Sequence, residues 1–122
     1  MAEATVLPGI LAGGWKDMRF EPFRDGIEIS RIDTGEGPAD AQAAILRYAP
    51  GALVPLHGHT GAEMIIVLEG EQRDARGSYP AGTVVINHPG SRHHVSAPDG
   101  CVVLILWSRP IAFVDAAAEA RG

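Results

Sequence analysis

The sequence predicts an all-β fold, an antiparallel sandwich or barrel, preceded by an irregular N-terminal arm. Three observations carry this expectation. Glycine and proline punctuate the chain densely, 15 and 9 of them in 122 residues, which leaves little room for long helices. Between the punctuation lie short apolar or alternating runs of strand length. No helical period interrupts those runs, so nothing argues for alternating strand and helix units.

The elements follow in order. Residues 1–26 form an arm broken by Pro8-Gly9, Gly13-Gly14 and Pro22. Its Trp15, Phe20 and Phe23 are expected to pin it against the barrel or to form a dimer contact. Residues 27–32 alternate as a half-buried strand does, and residues 34–40 read as a loop. Strands are expected at 43–48, 53–59 and 64–68, with Pro50-Gly51 as one turn and Gly61 permitting another. Glu69-Gly70 is expected to turn the chain into a strand at 71–74, and Gly77 and Pro80-Ala81-Gly82 mark two further turns. Strands at 83–87, 93–96, 102–107 and 111–114 complete a barrel region of 27–114. Only the tail, 115–122, has helix-forming composition. Pattern alone leaves immunoglobulin-like, oligonucleotide-binding, lipocalin and jelly-roll topologies open, although a single cysteine gives no support to an antibody-type domain.

Composition narrows the partners. The net charge is −5, from 10 basic and 15 acidic residues, with no basic stripe to neutralise phosphates, so neither nucleic acid nor an anionic membrane is an expected partner. The lone Cys101 opens a seven-residue apolar run, too short to span a bilayer, and reads as a buried core thiol. One cysteine and no recognisable signal peptide set the expected location as cytoplasmic.

The chemistry lies in the histidines. His57 and His59 stand two apart on a predicted strand, so they face the same way, about 7 Å apart along it, and can converge on one ion. By parity Leu53 and Pro55 are expected to share that face. Glu63 opens an apolar strand, where a carboxylate is costly unless it is paired or ligates a metal. Two histidines and a carboxylate suit open iron sites, and also zinc and manganese. His93 and His94 follow a turn at Pro89-Gly90-Ser91-Arg92; adjacent strand residues face opposite sides, so only one of the two points inward.

These residues carry a resemblance. Gly51-x5-His57-x-His59-x3-Glu63-x6-Gly70 matches the first cupin motif at every fixed position. The second motif is met at Gly82, Gly90 and His93, with His88 where proline is usual and Ala97 where asparagine is usual. The runs Arg47-Tyr48-Ala49-Pro50-Gly51-Ala52, Val67-Leu68-Glu69-Gly70, Tyr79-Pro80-Ala81-Gly82-Thr83 and Asp99-Gly100-Cys101 narrow it further. Over roughly residues 43–107 the chain resembles the cupin domain of ChrR-type anti-sigma factors.

The resemblance implies a double-stranded β-helix, the cupin jelly-roll barrel, with one divalent metal (zinc, iron or manganese) on His57, His59, Glu63 and His93. It selects His93 over His94. Ile65, Val67, Val84, Ile86, Val103 and Ile105 are expected as walls or core, and His88, Arg92, Ile65 and Val67 as the substrate pocket. The implied function is binding or transforming a small molecule at that centre. If catalytic, the protein is expected to be a metal-dependent dioxygenase or isomerase; otherwise it is a zinc-binding sensor or regulatory module. The anti-sigma proteins also carry an N-terminal sigma-binding zinc domain, and no Cys/His cluster precedes residue 57 here, so a direct anti-sigma role is not expected. A homodimer is expected.

Overall fold

In the computed structural model, residues 3–35, 42–109 and 111–113 are described. Most of the expected 34–40 loop, the end of the last strand at Val114 and the 115–122 tail lie outside the described residues. Two helical turns, Ile10–Ala12 and Gly14–Asp17, come first. They are followed by β1 (Glu21–Arg24), β2 (Ile27–Ile32), β3 (Gln42–Tyr48), β4 (Ala52–His59) and β5 (Glu63–Asp74). The chain continues as β6 (Gly77–Pro80), β7 (Val84–Asn87), β8 (Arg92–Ala97), β9 (Cys101–Trp107) and β10 (Ile111–Phe113). Every strand pairing is antiparallel. The fold is all-β, as the sequence pattern predicts, and is the jelly-roll barrel that the resemblance implies.

One sheet runs β1-β2-β3-β9-β5-β7 and the other β10-β4-β8-β5-β6. β5 belongs to both. The expected turn at Glu69-Gly70 is instead a bend inside this single strand. The register shifts between Val67 and Glu69, and Gly70 sits at φ 74°, where a Cβ would collide with the Gly100 carbonyl oxygen. The bend lets one strand leave the first sheet and enter the second.

The barrel interior is packed by inward residues of both sheets, among them Ile29, Leu46, Val54, Ile65, Val67 and Val103. Cys101 is buried with them, and burial pushes its thiol up to about 12, which fits an inert core residue. A second apolar layer lies outside the first sheet, where Trp15 packs with Ile45 and Val102, flanked by Ile10, Met18 and Phe20. This explains why β3 and β9 read as continuous apolar runs: one face meets the interior and the other meets the arm. Phe23, the third aromatic residue of the arm, lies in β1 instead, where Pro22 is tolerated because the strand is an edge. Trp15 is only 5% exposed, so Trp15→Ala is expected to cost about 3 kcal/mol and lower the melting temperature by roughly 10 °C in thermal unfolding.

Two parity expectations fail, for one reason each. Leu53 is 64% exposed and Pro55 is exposed, while Ala52 and Val54 face inward. A register irregularity between Val54 and His57 shifts the alternation before the two histidines, which still face inward. Val84 and Ile86 are 53% and 51% exposed because Asn87 points into the barrel, which puts Val85 on the inner face of β7.

Candidate metal centre

Beyond the β4 irregularity, His57 and His59 turn into the barrel mouth. β8 lies beside β4 with His93 directly opposite His57. The three imidazole centroids are 4.6–5.1 Å apart, and one ring nitrogen from each lies within 4.8 Å of the others. His93 is buried and His94 is exposed, so the register open in the sequence places His93 inside.

Hydrogen bonds at the far side of each ring fix its tautomer. His57 Nδ1 is 2.9 Å from the Pro55 carbonyl, which only accepts. His59 Nδ1 is 3.1 Å from the Ser91 carbonyl and 2.9 Å from Ser91 Oγ, whose own hydrogen goes to the His88 carbonyl. His93 Nδ1 is 3.1 Å from Asp74 Oδ2. Every Nδ1 therefore carries the hydrogen and donates it, which leaves each neutral Nε2 as a bare lone pair. Nε2 of His59 and Nε2 of His93 are buried with no hydrogen-bond partner among the described residues. Unpaired buried acceptors that converge are what a cation satisfies.

Glu63, first residue of β5, lies beside His59 but outside the group of three imidazoles whose ring nitrogens converge. Its Oε1 lies 3.2 Å from His59 Nε2 without the alignment of a hydrogen bond, and accepts one from Asn87 Nδ2 at 3.2 Å. Burial pushes the Glu63 carboxyl up, but neighbouring His59, Asn87 and His57 outweigh it and hold the group below its usual range. With Nε2 of His59 unprotonated this carboxylate faces another lone pair, so the pair is satisfied either by a proton between them or by a divalent ion, which the donor set fits.

A second layer of polar residues supports two of these groups. The Asp74 side chain is 2% exposed and holds His93. It also accepts from Arg76 at 2.8 Å and from the Tyr79 hydroxyl at 2.7 Å. Burial raises the Asp74 carboxyl, yet Arg76, Tyr79 and His93 hold it well below the ordinary carboxylate range. Arg76 also donates to Asn87 Oδ1 at 2.7 Å, so an unbroken chain runs His93–Asp74–Arg76–Asn87–Glu63. Sequence reasoning missed Asp74 and Asn87. The one signal was Asn87, a lone polar residue closing an apolar strand; Asp74, at the end of the polar run Glu71-Gln72-Arg73, gave none.

Burial holds His57 and His93 below the ordinary imidazole range, against the raising effect of the Pro55 carbonyl on His57 and of Asp74 on His93. The unfolded chain takes up protons below about pH 6.5 that the folded site refuses, so stability is present above that pH and lost as pH falls. The melting temperature of metal-free protein should be level above about pH 7 and fall between roughly pH 6.5 and 5. A rise on acidification would contradict this assignment.

Beneath the histidines lies a chamber of about 60 Å³, lined by His57, Glu63, His93, Tyr48, Gln72 and apolar residues including Ile65 and Val95. An outer groove of about 260 Å³ shares Phe23, Glu63 and Ile111 with it and adds Arg31, Gln42 and Trp107. Of the sequence-predicted pocket residues, Ile65 lines the chamber and Val67 is buried in the core behind it. His88 and Arg92 are exposed and line neither space. Among the described residues, no helix is long and apolar enough to cross a membrane.

The pattern of the ChrR cupin-like domain family matches residues 12–111. The chain is 31% identical over 100 residues to the anti-sigma-E factor ChrR of Cereibacter sphaeroides, covering 80% of this chain and 46% of that protein. It is similar to the structure of Rhodobacter sphaeroides SigE in complex with the anti-sigma ChrR, with TM-score 0.68, 29% identity, and 76% and 50% of the two chains covered. The chain thus spans about half the length of these relatives. An acetylacetone dioxygenase from Acinetobacter johnsonii shares the fold, with TM-score 0.78, 19% identity, and 100% and 91% of the chains covered.

Proposed function

This chain belongs to the ChrR cupin-like domain family, and from that premise we propose that it is a metal-dependent module that binds a small molecule at His57, His59, Glu63 and His93. The observation that carries the reading is the set of three imidazoles locked with Nδ1 hydrogen-bonded and Nε2 turned inward. Three imidazoles and a carboxylate suit zinc, iron or manganese. When bound, such an ion supplies Lewis-acid polarisation and, if iron, redox capacity.

The chain's own residues do the rest. His57, His59 and His93 hold the ion as neutral donors, Glu63 cancels part of its charge, and Asn87 fixes the Glu63 oxygen. Apolar walls from Ile65, Val95 and Ile105 exclude water, which strengthens any electrostatic contact made inside. Elemental analysis of protein purified without chelator should find about one equivalent of divalent metal per chain. A folded protein that takes up none of zinc, iron(II) or manganese would overturn the reading.

The likeness to an anti-sigma factor at 31% identity favours a regulatory role over a catalytic one. Co-elution of the metal-loaded chain with a SigE-type sigma factor on gel filtration would support that role. Bound iron with oxygen uptake on adding substrate would instead support a dioxygenase.

A further inference from the structure

Gln72 is a buried amide that the metal centre does not use. It is 2% exposed, on the inner face of β5, and its Nε2 has no hydrogen-bond partner among the described residues. Tyr48 lies alongside, close enough for the amide to offset part of what burial does to the phenol, yet short of a hydrogen bond to Nε2. An unpaired amide in an apolar core is costly, and native proteins keep such groups where something else satisfies them.

The placement says what that something is. Gln72 and Tyr48 line the same chamber of about 60 Å³ as His57, His93 and Glu63. Gln72 precedes Asp74 by two residues on one strand face, a step of about 7 Å, and Asp74 holds His93. The amide therefore sits one strand step below the histidines, with Val54, Ile65 and Val95 as apolar wall between. The volume admits roughly four heavy atoms. Arg24 also lines the chamber, and its positive charge acts on both Tyr48 and His57.

We infer that Gln72 and Tyr48 form the polar floor of a ligand chamber for a small carboxylate. One carboxylate oxygen accepts from the Gln72 amide, and the other faces the imidazoles and the ion they would hold. The inference rests on the metal-centre reading, because an ion carrying only Glu63 as anionic ligand leaves net positive charge facing the chamber.

Acetate, with four heavy atoms, is the probe. Wild type and Gln72→Leu are loaded with cobalt(II), and acetate is titrated while the visible cobalt absorption is followed. Both should bind one equivalent of cobalt and melt at similar temperatures, while the acetate Kd rises about tenfold in Gln72→Leu. Tyr48→Phe should lose less, about threefold. Gln72→Met, which keeps the side-chain length, should repeat the Gln72→Leu loss and replaces it if that variant does not fold. Equal acetate affinity in wild type and the Gln72 variants overturns the inference and leaves the amide meeting water only. So does cobalt uptake by wild type with no response to acetate. Failure of wild type to take up cobalt would instead sink the metal-centre reading, and this inference with it.

Discussion

His57→Ala and His93→Ala each weaken zinc binding by on the order of a hundredfold or more, read by competition with a chromophoric chelator. Each substitution would remove one of the proposed donors from a converging set. The neighbours of His57 on the inner face are Val54 and His59, and those of His93 are Val95 and the β4 histidines. A lost ligand costs more than a lost supporting contact, whose removal is already worth about tenfold to a hundredfold. His94→Ala is the control: His94 is exposed, and its removal should leave affinity within about twofold. Loss of metal in His94→Ala with retention in His93→Ala would show the register to be wrong.

Asp74→Asn is expected to weaken metal binding about tenfold to a hundredfold without touching a ligand. The carboxylate accepts from His93 Nδ1 while Arg76 and Tyr79 hold it in place. An asparagine there can turn its amide hydrogens toward His93 and favour the tautomer with hydrogen on Nε2, which removes the lone pair that faces the centre. Nitrogen-15 spectra of the imidazoles would report that tautomer directly. Unchanged metal affinity and an unchanged His93 spectrum in a folded variant would show Asp74 to be only a surface anchor for Arg76.

The clustering of the histidines beside Glu63 was legible because it obeys the two simplest rules of strands. His57 and His59 share a face by parity, and Glu63 stands out as a charge opening an apolar run. Between His93 and His94, parity demanded that one face inward, and only the family resemblance chose which. What surrounds the centre was not legible, because parity does not survive an irregularity. The register shift before His57 sent Leu53 and Pro55 outward, and the bend at Gly70 joined two expected strands into one. Asp74 and Gln72 become inward neighbours of the site only through that bend. Val84 and Ile86 were misplaced for want of one fact, that Asn87 reaches Glu63. Each error is a one-residue phase, set by hydrogen bonds between elements distant in sequence.

The shared strand has a mechanical consequence. Among the described residues β7 has a backbone partner on one side only, β5, so the barrel wall has a seam there. Side chains stitch that seam: Arg76, just past the far end of β5, reaches across to Asn87 at the end of β7. The two ends of a single strand, Glu63 and Asp74, are thereby fastened through the site itself, and an ion held by Glu63 and His93 would act as the clasp. Stripping the ion should loosen the stitch before it melts the barrel. Amide hydrogen exchange would then quicken first in β6 and β7, while β3 and β9, covered on both faces, stay protected.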